Sequence, residues 1–117
     1  MITEKQTLAV VLNANSTKGM EAAKDLINQY SRVLLVGDKR EELDQCVTEI
    51  SGTEASNKAY YVEADLTKNY DLEEFISLVK HKFGGADHLV NCMEIEDQTG
   101  KTTYNLAIER FEKYAMN

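Results

Sequence analysis

The side chains best able to do chemistry in this chain lie together near its start, in Asn13-Ala14-Asn15-Ser16-Thr17-Lys18-Gly19. They follow the apolar run Leu8–Leu12 and precede a stretch with Ala22, Ala23, Leu26 and Ile27 on one helical stripe. A small polar turn between a strand and a helix exposes the first N–H groups of the helix, and these can hold a phosphate. Asp38 follows a second apolar run, where an acid can accept hydrogen bonds from ribose hydroxyls. Asp65-Leu66 and Asn91-Cys92 stand at the ends of a third and a fourth run. His81 and His88 have neither the spacing nor the companions of a metal site, and Cys46 and Cys92 fall in different elements. From these residues we expect no metal ligands and no catalytic group.

The hydrophobic pattern supplies the scaffold. Strands are expected at Leu8–Leu12, an apolar run suited to burial on both faces, Arg32–Val36, a second buried run, Ala59–Ala64, where Tyr60 and Tyr61 point one to each face, and His88–Cys92. Between and after them, amphipathic helices are expected at Lys18–Tyr30, Glu41–Ile50 (stopping near Ser51-Gly52), Asp71–Phe83 and Thr102–Tyr114. Four strand–helix pairs in alternation predict one α/β domain over residues 1–117, with a Rossmann-like three-layer α/β/α architecture. In such folds ligands bind beyond the strand C-termini, where strand order reverses. That places Asn13–Gly19 and Asn91–Glu94 across one crevice.

Composition narrows the class. With 117 residues, 43% of them apolar, the chain can bury about two-thirds of its extended surface without staples or metals. A net charge of −7 and the lack of a Lys/Arg cluster argue against nucleic-acid binding. No apolar run approaches the length of a membrane span, nothing reads as a leader, and two unpaired thiols fit a cytoplasmic setting.

Several strings, in order and at the right spacing, resemble the N-terminal half of the short-chain dehydrogenase/reductase family. They are Arg32-Val33-Leu34-Leu35-Val36-Gly37 with Glu41-Glu42-Leu43, Ala64-Asp65-Leu66-Thr67, and Phe83-Gly84-Gly85-Ala86-Asp87-His88-Leu89-Val90-Asn91. The resemblance implies a parallel sheet of four strands in order 3-2-1-4. It also implies a dinucleotide site drawn from Asn13, Asn15, Ser16, Thr17, Lys18, Gly19, Asp38, Asp65, Leu66 and Asn91. The family turn, Thr-Gly-x-x-x-Gly-x-Gly, corresponds to Leu12–Gly19, where only Gly19 is kept. Asn13 replaces the first glycine and can adopt left-handed geometry, whereas Thr17 replaces the glycine that lets backbone approach a pyrophosphate. Lys18 reads either as a phosphate ligand or as a solvated helix-start lysine, Asp38 as a ribose acceptor or a solvated turn acid, and Asn91 as a ligand contact or a strand-end tie. The family's Asn-Asn-Ala-Gly has become Asn91-Cys92-Met93-Glu94, which crowds the nicotinamide side and adds negative charge.

The family's proton donor is a Tyr with a Lys four residues later, and this sequence contains no Tyr-x-x-x-Lys and no Ser after Ser77. Asn117 falls near the position of the family's helical Asn. Two functions follow from the resemblance. One is a non-catalytic, shortened module that oligomerises or binds a partner, with weak or no NAD(H) binding. The other is an NAD(P)-dependent oxidoreductase active only with complementing catalytic elements. An apolar edge at His88–Cys92, and a last helix (Thr102–Tyr114) leaving Tyr104, Ile108, Phe111 and Tyr114 as an exposed patch, predict a homodimer through either or both.

Overall fold

The computed structural model describes residues 6–51 and 58–117. A strand whose every residue is buried belongs inside a sheet covered on both faces, and Leu8–Leu12 (β1) meets that condition. The remaining elements are α1 (Thr17–Leu26), β2 (Arg32–Gly37), α2 (Arg40–Ser51), β3 (Ala59–Glu63), α3 (Asn69–Lys82), β4 (His88–Asn91) and α4 (Gln98–Ala115). All four strands are parallel, in the order β3-β2-β1-β4, as the resemblance implied.

Side chains alternate across the sheet and so build two cores. Leu8, Val10, Leu12, Leu34 and Val36 face α3 and α4, where Phe75 and Phe111 stack with ring centroids 5.1 Å apart. Ala9, Val11, Val33 and Leu35 face α1 and α2, packing on Ala23, Leu26, Leu43, Cys46 and Ile50. β4 is only half covered, with Leu89 packed against the first core and Val90 against the second.

Several boundaries differ from expectation. α1 stops at Leu26 instead of Tyr30, because Ile27 caps it and tight turns follow through Tyr30. α4 begins four residues earlier than Thr102, at Gln98, because the Asp97 carboxylate accepts from Gly100 N (2.8 Å) and caps it there. β4 ends at Asn91, one residue short of Cys92. Gly52, expected to end α2, lies outside the described residues.

The exposed patch on α4 also differs. Tyr104 and Phe111 are buried, with Ala107 and Ala115 on the same stripe, and Ile108 is half-buried; Leu106 and Tyr114 are the exposed pair. Tyr60 and Tyr61 divide between the two faces of β3 as expected, but Tyr60 is exposed and meets Phe83 edge-on.

Candidate functional site at the strand C-termini

The turn after β1 is held by its own polar groups. Asn13 adopts a positive φ of 58°, so an asparagine takes the conformation that a glycine would otherwise supply. Its Nδ2 donates to Cys92 O at 3.1 Å, which ties the β1 turn to the end of β4. Ser16 caps α1: its Oγ donates to Asn13 O (2.7 Å) and accepts from Gly19 N (3.0 Å). A Cβ on Gly19 would run into Asn13 O and the backbone of Ala14, so this glycine serves close helix–strand packing.

Lys18 projects from the first turn of α1 across to the loop after β4, where its Nζ lies 3.0 Å from Glu94 Oε1. The Glu94 hydrogen bond and charge raise the Lys18 ammonium above its ordinary value. Asn91 accepts from Met93 N at 3.1 Å, so its side chain turns back on its own loop. Asn15 Nδ2 donates to Glu42 Oε2 at 3.3 Å, while its buried Oδ1 has no partner and fills the space a Cβ on Gly37 would need.

Four of the sequence-derived residues do share a cleft. Asn13, Asp38, Asp65 and Leu66 line a cavity of about 230 Å³ at the strand ends, closed by Met93 and Tyr104. Asp38 is exposed; Leu66 is buried in the α3/α4 core. Asp65 is occupied locally, with its carboxylate accepting from Thr67 N (3.0 Å) and its N–H donating to Asp71 (2.9 Å). Thr17 and Lys18 are exposed at the start of α1, Asn15 and the N-cap Ser16 lie in the turn before it, Gly19 is buried in its first turn, and Asn91 ends β4.

Tyr104 is the lining residue that sequence reasoning placed elsewhere. The stripe Tyr104, Ala107, Phe111, Ala115 carries its signal, since that spacing turns Tyr104 inward. Burial, and secondarily the neighbouring Cys92, hold its phenol well above the ordinary tyrosine range. Cys92 is a half-buried free thiol, itself raised by burial against the opposing influence of Lys18; Cys46 is free and buried. Asn117 follows α4 and does not lie within it. It sits at the other end of β4 from the cleft, its N–H on Ala86 O (2.7 Å) and its Nδ2 on Asp87 Oδ1 (3.1 Å). Among the described residues no group of three His, Cys, Asp or Glu is arranged to hold a metal, and no helix is long and apolar enough to cross a membrane.

This strand order, with a cleft over the C-terminal ends of β1, β2 and β3, defines a Rossmann-like α/β protein. The short chain dehydrogenase family model matches residues 7–116, and the chain belongs to that family. It is 29% identical over 102 residues to human 3-hydroxyacyl-CoA dehydrogenase type-2, an alignment covering 87% of this chain and 36% of that protein. It is 33% identical over 94 residues to an uncharacterized oxidoreductase of Staphylococcus saprophyticus, covering 78% of this chain and 38% of the other. Among solved structures, a variant of actinorhodin polyketide ketoreductase with NADPH superposes with a TM-score of 0.78 at 23% identity, over 98% of this chain and 49% of that one. L-Sorbose reductase from Gluconobacter frateurii, complexed with NADPH and L-sorbose, gives 0.77 at 19% identity, over 95% and 46%. The chain thus spans well under half the length of these curated relatives and about half that of these structures.

Whether these residues suit a dinucleotide can be tested at the β1 turn. A pyrophosphate there needs free N–H groups at the start of α1, close backbone approach and, commonly, a cation. Gly19 N–H is already taken by Ser16, a β-branched Thr17 stands at the approach, and Lys18 is paired with Glu94. The turn does not fit a pyrophosphate well. The other side of the cleft is bounded by Gly37, Asp38, Asp65 and Leu66.

Proposed function

We propose that this chain is a non-catalytic short-chain dehydrogenase module that acts by self-association or partner binding and holds NAD(H) weakly or not at all. The observation that carries the reading is the Lys18–Glu94 pair across the mouth of the crevice, together with the capped Gly19 N–H. These contacts spend the groups a cofactor phosphate would use. Self-association is assigned to α4, where Leu106 (60% exposed) and Tyr114 (49% exposed) flank Arg110 at four-residue spacing.

A second reading is an NAD(P)-dependent oxidoreductase that works only with complementing catalytic elements. It is favoured by the share of relatives this chain spans, 36% of the human dehydrogenase, and by the glycine-like geometry kept at Asn13. Titration with NADH and NADPH, followed by nicotinamide fluorescence and melting temperature, separates the two. Absence of a shift at millimolar cofactor supports the first reading, and a saturable shift overturns its cofactor clause. Sedimentation at micromolar protein tests the dimer: wild type should sediment as a dimer and Leu106→Glu as a folded monomer. A monomeric wild type overturns the assignment to α4.

A further inference from the structure

A cavity larger than the cleft, of about 590 Å³, lies between β3 and α3, within the size range of small-molecule sites. It shares no lining residue with the cleft at the strand C-termini. Leu34 and Tyr60 stand side by side in the β2–β3 register, and alternation turns both toward α3. Leu78, Lys82 and Phe83 meet them from the end of α3, and Arg32 closes the groove at the start of β2. Tyr60 and Phe83 pack edge-to-face with ring centroids 5.4 Å apart, and Tyr60 remains 42% exposed. Arg32 is held in place without being neutralised. Its guanidinium lies over the Phe83 ring, 5.3 Å from the centroid, and Nη2 donates to Phe83 O (2.8 Å) and Gln6 O (3.3 Å). Both acceptors are neutral carbonyls, and the buried Nε has no acceptor. Lys82 is exposed, and among the described residues no carboxylate forms an ion pair with either cation. In a chain of net charge −7, this groove is a local reversal of sign.

We propose that this groove binds a small aromatic carboxylate, its ring against Leu34, Leu78 and the Tyr60–Phe83 pair and its carboxylate between Arg32 and Lys82. An aromatic body suits the site because the two rings offer faces and edges at 78° to one another, the arrangement in which a further ring packs well. A carboxylate suits the cations because a guanidinium already fixed by its stack and two hydrogen bonds loses little freedom on pairing. A neutral ligand would leave the Arg32 charge as it stands. The acidic surface elsewhere repels an anion, so the two cations also select where it lands. The inference rests on neither the non-catalytic reading nor the α4 dimer.

The probe is 2-naphthoate, titrated into the full chain and followed by backbone amide NMR, with 2-naphthamide and octanoate as controls. The expected result is saturable shifts at residues 32–34, 59–62 and 78–83 that spare Asn13, Asp38 and Asp65, half-complete below about 1 mM. The amide keeps the ring without the charge and octanoate the charge without the ring, so each should bind at least about tenfold more weakly. Lys82→Met changes an exposed side chain, and should weaken naphthoate by about threefold or more while leaving the amide unchanged. Arg32→Gln should abolish the preference for acid over amide. Where that variant is too unstable to titrate, Lys82→Met and the two controls decide the matter on a folded chain. Absence of saturable shifts at millimolar naphthoate, or equal binding of the amide or of octanoate, would each overturn the proposal. So would shifts confined to the strand C-terminal cleft, or a Lys82→Met effect that is the same for acid and amide. Titration with NADH reads a different set of residues, so failure here is distinct from failure of the non-catalytic reading.

Discussion

Lys18 Nζ and Glu94 Oε1 meet 3.0 Å apart, joining the first turn of α1 to the loop after β4. Their side chains are 74% and 72% exposed, so the pair is a solvated, salt-screened contact that closes a gap more than it holds the fold. Glu94→Gln should therefore leave the melting temperature within about 1 °C of wild type. The same change frees the Lys18 charge, so any NADH affinity should rise, and fall again with added salt. A large loss of stability in Glu94→Gln would show that the contact is structural.

Thr17→Gly tests the approach to the turn. If the β-branched side chain obstructs a pyrophosphate, the variant gains measurable NADH affinity by fluorescence titration, at a cost of about 0.5–1 kcal/mol for glycine in a helix. If affinity stays absent, Met93 and Glu94 on the far wall are the next residues to change.

Gly19 and Asn13 should fail in different ways. Gly19→Ala places a methyl group against the backbone of Asn13 and Ala14, which cannot swing aside, and should cost about 1–3 kcal/mol or more in urea unfolding. Asn13→Val loses the bond to Cys92 O, worth about 1 kcal/mol, and forces a β-branched residue into positive φ at about 1–2 kcal/mol more. Asn13→Gly keeps the conformation and loses only the hydrogen bond, so it should be the milder of the two Asn13 variants.

The sequence made the fold legible because each strand is a short apolar run and each helix keeps a clear stripe. The order β3-β2-β1-β4 came from the resemblance of whole strings such as Phe83–Asn91, since no local pattern encodes which strands are neighbours. The site was read less completely. Asn13 and Gly19 could be assigned from conformational preference and packing, which are local properties. The Lys18–Glu94 pair joins residues 76 apart in sequence, and the turn of Tyr104 into the cleft depends on α4 packing its Tyr104–Ala107–Phe111–Ala115 stripe on the sheet. Asp97 as a cap sets the start of α4 a turn earlier, and of the expected exposed patch Tyr114 is exposed while Tyr104 and Phe111 are buried, with Leu106 exposed beside it.

Tyr104 should report at alkaline pH. Its folded-state value is raised by burial, so the folded chain keeps the proton after an unfolded tyrosine has lost it. The stabilising contribution is whole below the unfolded value, about pH 10, and is lost as pH climbs toward the folded value. Urea unfolding above pH 9 should show a steep decline in wild type that is shallower in Tyr104→Phe. Equal slopes would mean that the phenol is not the group titrating.

Replacing either ring of the Phe75–Phe111 stack by alanine should cost about 3–5 kcal/mol, because both are almost wholly buried and stacked on each other. Chemical denaturation reads this directly. The double variant should cost less than the sum of the two, since the rings share one contact.

The order of the sheet also sets a timetable for folding. β1 leaves the ribosome before β2, β3 and β4, yet one of its two neighbours is β4, joined to it by hydrogen bonds that span 79 positions, such as Asn13 to Cys92. Until β4 is made, the five apolar residues Leu8–Leu12 have one flank unsatisfied. Closing so long a loop is slow compared with forming α1 or the β1–β2 pair. The segment most deeply buried in the finished protein is thus the one exposed longest during synthesis, and it is there that a chaperone, or a neighbouring nascent chain, has its opportunity.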